Sequence, residues 1–171
     1  MNRSTGQNAL FDPDKNIRHQ QALQLGTQQT LSELPNILER LSVEEDFFVR
    51  ETLIWAIVRM GEPAIEPTIG LLGHIAPQAR LLAAQTLGKI GDSIAVPALL
   101  NALPDDDLEV KRRVIYTLGQ LGDARALPAL LELLLDSNTE LKSTVATALR
   151  EVGQFDLVTL SQGLQIGRAH V

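Results

Sequence analysis

The stretch that decides the fold is DLEVKRRVIYTLGQLGDARALPALLELLLD, residues 107–136, because the chain repeats it. A shift of 31 residues toward the N-terminus brings Gly122 onto Gly91, and a further shift of 30 reaches Gly61. In the other direction, a shift of 31 residues reaches Gly153. A proline column follows the same register at Pro67, Pro97 and Pro128. Self-similarity with a period near 31 residues is typical of proteins built from stacked supersecondary units.

Each repeat is predicted to be two antiparallel helices joined by a tight turn. In the second repeat, Val49, Leu53 and Ile57 are spaced so that they share one helical stripe. Gly61 then supplies the residue that ends the first helix, and Pro67 falls in the first turn of the second helix, where a missing N–H costs least. One pair cannot bury its own apolar stripe, so successive pairs must stack. The sequence predicts an all-α fold, an α-solenoid of about five helix pairs, with repeats at about 14–45, 46–75, 76–106, 107–137 and 138–165.

Both ends of the chain depart from this pattern. Residues 1–13 are polar without a period, which predicts a flexible N-terminal tail. The first repeat is degenerate, since Gln29 stands where later repeats have glycine and Gly26 lies three residues earlier. Residues 166–171, IGRAHV, interrupt the last repeat and resemble a translated sequencing adapter. We therefore expect these six residues to be non-native and the natural chain to continue past Gln165.

Composition and charge exclude several classes of function. The net charge of -6 and the pI near 5.0 give no bulk attraction for nucleic acid or for an anionic membrane. The chain has no cysteine, which excludes disulfides and thiolate metal sites. It has no secretory signal pattern and no apolar run long enough to span a bilayer. The sequence predicts a cytoplasmic protein that binds neither nucleic acid nor membranes.

Three motifs carry a resemblance to a known family. They are D-x-x-V-K at residues 107–111, L-G-x-L-G-D at 118–123 and A-L-P-A-L at 126–130. Together they resemble HEAT repeats, in particular the short bacterial HEAT-like repeats of the phycobilisome-lyase type. Residues 46–50, DFFVR, also look like part of a group of stand-alone bacterial HEAT-repeat proteins. The resemblance implies a scaffold that binds a partner protein, with a phycobilin lyase or lyase-like chromophore-attachment factor as the alternative.

The residues themselves offer no pattern for catalysis, for a cofactor or for a metal. His19, His74 and His170 are far apart in register, and none is followed by glutamate, so we interpret them as solvated side chains. We therefore predict that the protein is not an enzyme and uses no cofactor.

Carboxylates recur at the turn between the two helices of a repeat, at Glu62, Asp92 and Asp123. A bilin site would need a carboxylate in a cleft, but recurrence argues against a single active site. We predict that these side chains cap the second helix of each pair. Pairing with a basic column remains open, and that column consists of Arg50, Arg80, Lys111 and Lys142.

Aromatic side chains form the first candidate surface for a partner protein. Phe48 and Trp55 are seven residues apart on one predicted helix and project together, away from the apolar stripe. Tyr116 occupies the position of Trp55 two repeats later. Exposed aromatic residues commonly anchor protein interfaces. The alternative is that neighbouring helices or the N-terminal tail cover them.

The row of second helices is the other candidate surface. It carries Glu62, Glu66, Asn101 and Glu132 among small residues. Solenoids often bind partners along such a row, and an acidic groove would favour a basic peptide. The alternative is a solvated polar face, and the sequence does not decide between the two surfaces.

Overall fold

Helices form the framework of the structure, a computed structural model that describes residues 8–135 and 139–155. The α-helices of these ranges are α1 Lys15–Gln28, α2 Leu34–Val43, α3 Phe47–Met60, α4 Ile65–Gly70, α5 Pro77–Ile90, α6 Val96–Asn101, α7 Leu108–Leu121, α8 Leu127–Leu135 and α9 Thr139–Phe155. No strand occurs in the same ranges, and the predicted all-α class of repeated helix pairs is confirmed. Among the helices described, none has the length and apolarity needed to cross a membrane.

The chain divides into two compact units between Ile90 and Gly91. The first compact unit contains α1 to α5, and the second contains α6 to α9. The sequence-based scheme treats residues 14–165 as one domain, whereas this division falls inside the third repeat, between its two helices. Repeat proteins permit such a division because a repeat packs mainly against the repeats near it in the chain.

Aspartate side chains begin the first helix of several repeats. Asp14 accepts a hydrogen bond from the backbone N–H of Asn16 at 2.8 Å. The side chain of Asp46 accepts hydrogen bonds from the backbone N–H groups of the second and third residues after it, and Asp107 does the same. The first N–H groups of a helix have no partner within the helix, so each carboxylate satisfies donors that would otherwise be unpaired.

Residues with positive φ end these helices, as the glycine column predicts. Gly61, Gly91 and Gly122 have φ angles of 67°, 78° and 65°. In the first repeat, Gln29 takes the left-handed conformation instead, with φ 51° and ψ 47°. Gly153 differs from the prediction because it lies inside α9, which continues to Phe155.

Two other glycines allow helices of successive repeats to approach closely. A Cβ atom on Gly26 of α1 would lie 2.8 Å from the Cα of Ala56 and 2.5 Å from the ring of Trp55 on α3. A Cβ atom on Gly119 of α7 would lie 2.7 Å from the Cα of Ala148 on α9. Gly26 is therefore a packing residue, which explains a glycine that the repeat register left unassigned.

We expect Gly26→Ala to lower the free energy of unfolding by about 1–2 kcal/mol. Overpacking costs about 1–3 kcal/mol, and the better helix propensity of alanine offsets up to about 1 kcal/mol of it. Gly153→Ala is the matched control, since within residues 8–135 and 139–155 no atom beyond its own helix backbone and chain neighbours lies within 4 Å of its added Cβ. We expect this control to stabilise by about 0.5–1 kcal/mol. Urea unfolding measures both, and equal stability changes in the two variants would contradict the packing role of Gly26.

The end of the predicted N-terminal tail packs onto the first compact unit. Ala9–Phe11 form a turn of 3-10 helix, and Asn8 accepts a hydrogen bond from the backbone N–H of Leu10. Leu10 is completely buried and belongs to the same core cluster as Ile37 and Leu41. A buried leucine fixes this segment, although the sequence predicted a flexible tail through residue 13. Residues 1–7, the predicted second helix of the fifth repeat and the predicted non-native tail 166–171 lie outside the described ranges.

Candidate partner-binding surfaces

A groove between α1 and α3 contains both aromatic residues that the sequence singled out in the first compact unit. We call it the aromatic groove, and it is lined by His19, Leu23, Phe48, Glu51, Thr52 and Trp55. Its volume is about 350 Å³. Phe48 is 71% exposed and Trp55 is 38% exposed. The sequence analysis did not single out Phe47, which is 59% exposed. Its ring packs edge to face on the ring of Phe48, with 5.6 Å between the ring centres.

The two predicted aromatic residues differ in how much of the ring is covered. Trp55 lies against Gly26 of α1, and the guanidinium of Arg59 lies 5.4 Å from the centre of its ring. Arg59 also donates a hydrogen bond to the carbonyl of Gly26 at 3.2 Å. The neighbouring helix thus covers part of Trp55 and holds its ring in place, while Phe48 faces solvent.

The carboxylates beside the aromatic groove are paired with cations of the protein. Lys89 and Gln85 donate hydrogen bonds to Glu51 at 2.7 and 3.0 Å, and the bond from Lys89 lowers the pKa of Glu51. Lys15 donates to Asp46 at 2.9 Å and lowers the pKa of that carboxyl group in the same way. The groove therefore offers apolar surface rather than an unpaired carboxylate.

A histidine in the groove has a defined hydrogen-bond partner. The hydroxyl of Thr52 donates its only proton to the carbonyl of Phe48 at 2.9 Å. This hydroxyl also lies 3.0 Å from Nδ1 of His19, at hydrogen-bond distance. The groove therefore contains an imidazole and a hydroxyl as polar groups besides its paired carboxylate.

The turn carboxylates have different roles from one another. Asp92 and Asp123 accept hydrogen bonds from the backbone of Ile94 and Arg125, and so cap the turn that leads into the second helix. Glu62 is exposed and makes no such capping bond. The capping prediction therefore fits two of the three positions.

Arginine side chains support the start of the first three repeats. Arg18, Arg50 and Arg80 each donate to the backbone carbonyls five and six residues earlier. Asp123 is instead bonded by Arg125, which lowers its pKa. Arg50 and Arg80 of the basic column, with Arg18 in the equivalent position of the first repeat, thus hold the connections that precede α3, α5 and α1.

The predicted acidic row is distributed over both compact units. Glu62 and Glu66 lie in the first, at the turn before α4 and within α4. Asn101 ends α6 and Glu132 lies on α8, both in the second. All four side chains are exposed, as a solvated or a partner-binding face would require.

Tyr116 lies in the second compact unit, in a cavity of about 540 Å³ between α7 and α9. We call this the Tyr116 cavity, and it is lined by Tyr116, Gly119, Gln120, Ser143, Thr144, Thr147, Ala148 and Glu151. Tyr116 is 52% exposed, and the guanidinium of Arg113 lies 5.6 Å from the centre of its ring. Sequence reasoning found Tyr116 but missed the cavity, because the other wall belongs to another repeat.

A buried ion cluster was also missed. Glu44 is 3% exposed and accepts two hydrogen bonds from the guanidinium of Arg18, one from Arg40 and one from the backbone N–H of Asp46, all at 2.8–2.9 Å. Burial alone would raise the pKa of Glu44, but these hydrogen bonds outweigh it and lower the pKa to about 2. Arg18 is on α1 and Arg40 on α2, so the cluster fastens both helices to the start of α3.

Acidic and histidine side chains form no cluster of metal-binding type within the described residues. A sequence model of HEAT repeats matches residues 65–150, slightly more than half of the 171-residue chain. Comparison with curated proteins gives no match.

Proposed function

We propose, since the chain belongs to the HEAT-repeat family, that it is a non-enzymatic module that binds a partner protein through the aromatic groove. HEAT repeats generally mediate protein–protein interaction. The observation that carries the proposal is the 71% exposure of Phe48 beside Trp55 in a groove whose carboxylate, Glu51, is paired with Lys89. Contiguous apolar surface of this kind usually marks an interaction site.

The groove is suited to binding because one of its anchors is already held. Trp55 is fixed by Gly26 and by Arg59, so little side-chain freedom would be lost when a partner packs on the ring. Phe48 and Phe47 extend the apolar surface beyond the groove. We infer that the partner contributes apolar side chains, because the carboxylates of the groove already have their own cations.

Two observations favour this function over the alternatives from the sequence. Exposed carboxylates such as Glu62 and Glu66 are ordinary on protein surfaces, whereas clustered exposed aromatic rings are not. Asp92 and Asp123 are engaged by backbone N–H groups, which supports a structural role rather than chromophore chemistry. Binding of the partner through the acidic row is the alternative that the experiment below tests.

Affinity purification from the source cell would identify the partner, and titration of the two purified proteins would test the groove. Trp55 is the only tryptophan of the chain, so its fluorescence should change on binding. We expect Phe48→Ser to weaken the affinity by about tenfold or more, as for truncation of an interface anchor.

Two control variants make this result specific. Leu131→Ser removes another exposed apolar side chain, on α8, and should bind like the wild type. A Glu62→Gln/Glu66→Gln variant removes two charges of the acidic row. Wild-type affinity in Phe48→Ser, or loss of binding only in the acidic-row variant, would contradict the proposal. Circular dichroism would establish that each variant is folded.

A further inference from the structure

The Tyr116 cavity has a chemistry that differs from that of the aromatic groove. Gly119 and Ala148 line it where the backbones of α7 and α9 approach each other. One wall is the ring of Tyr116, and the rest is lined by hydroxyl, amide and carboxylate groups. Its volume of about 540 Å³ lies within the usual range for ligand sites.

The carboxylate of Glu151 distinguishes this cavity. Within residues 8–135 and 139–155, no basic side chain pairs with Glu151, and no hydrogen bond occupies the side chains of Ser143 or Thr147. The carboxylates around the aromatic groove differ, because Glu51 is bonded by Lys89. Among the described residues that line the Tyr116 cavity, Glu151 carries the one charge, and the guanidinium of Arg113 lies over the ring of Tyr116.

We propose that the Tyr116 cavity binds an arginine side chain of a partner protein. A guanidinium has five N–H donors, and the cavity offers a carboxylate together with several hydroxyl oxygens as acceptors. The guanidinium of Arg113 covers part of the Tyr116 ring, 5.6 Å from its centre, and the half of this residue that stays exposed is the surface on which a second guanidinium would pack. The net charge of -6 adds a long-range attraction for a basic segment.

This site goes beyond the proposed function, because it lies in the other compact unit and takes a cation rather than an apolar anchor. It also differs from the acidic row, since Glu151 is on α9 and is not a member of that row. The two sites can therefore be tested separately.

The test is a titration of the ¹⁵N-labelled full chain, followed by NMR, with two capped pentapeptides of sequence Gly-Gly-X-Gly-Gly. In one peptide X is arginine, and in the other it is citrulline, a neutral analogue of the same shape. We expect saturable shifts of the α7 and α9 amides that line the cavity with the arginine peptide. The citrulline peptide should bind about tenfold or more weakly, because it lacks the charge.

Variants of the protein complete the experiment. Glu151→Gln should weaken binding of the arginine peptide to the level of the citrulline peptide. Glu132→Gln removes the same charge from α8 and should leave binding unchanged, as should Phe48→Ser in the other compact unit. Equal binding of the two peptides, unchanged binding in Glu151→Gln, shifts centred on Glu132, or no saturable shifts up to several millimolar peptide would each overturn the proposal. The spectrum of each variant shows whether it is folded.

Discussion

Glu44→Gln is expected to lower the free energy of unfolding by about 3–5 kcal/mol, the usual cost of breaking a buried ion pair. The substitution keeps the shape of the side chain but removes the charge that faces Arg18 and Arg40. Both guanidinium groups are largely buried, with 11% and 16% side-chain exposure, so they would lose their counter-ion where water cannot replace it. The expected effect is large because one carboxylate serves two cations and a backbone N–H.

The pH dependence of stability provides a second measurement on the same residue. The folded state lowers the pKa of Glu44 from 4.5 to about 2, so the folded protein releases this proton more readily than the unfolded chain. The resulting stability, about 3 kcal/mol, is fully present above pH 4.5 and is lost as the pH falls toward 2. The stability difference between the wild type and Glu44→Gln should therefore be largest near neutral pH and should shrink in acid.

Urea unfolding across this pH range tests both statements. Glu45→Gln is the matched control, because Glu45 is the exposed neighbour of Glu44 and its substitution should change stability by no more than about 0.5 kcal/mol. A difference between the wild type and Glu44→Gln that stayed constant down to pH 2 would show that the charge of Glu44 is not the cause. Equal stability of Glu44→Gln and Glu45→Gln would contradict the role of the ion cluster.

Leu118→Ala is expected to lower the free energy of unfolding by about 2–5 kcal/mol. Leu118 is completely buried on α7, and alanine would leave a cavity among the packed helices of the second compact unit. Because α7 packs against both α6 and α9, the loss should spread to helices of the adjoining repeats.

Hydrogen exchange of the full chain would reveal this spread. We expect faster exchange in α9 and α6 as well as in α7. Leu131→Ala on α8 is the control, since Leu131 is exposed and its loss should cost no more than about 0.5 kcal/mol. Faster exchange confined to the fourth repeat would argue against cooperative packing between repeats.

Much of the candidate site could be located from the sequence, although not all of its chemistry. Phe48 and Trp55 share a groove because residues seven apart lie on the same face of a helix. The sequence could not show that Trp55 is partly covered by Gly26, because that contact joins two repeats. The sequence also placed Tyr116 in an aromatic column. It gave no account of Glu151, because Glu151 is on another helix and joins Tyr116 only in the lining of the Tyr116 cavity.

By itself, the sequence determined the all-α class, the repeat register and the chemistry of helix ends, because periodicity, aspartate caps and positive-φ glycines act within a few residues along the chain. Only the tertiary structure decided that Glu44 is buried between two arginines, that Gly26 is a packing residue, that Leu10 joins the core and that Glu151 lines a cavity. Each of these depends on contacts between residues that are distant in the sequence. Burial and charge pairing arise from such contacts, which a local sequence pattern does not contain.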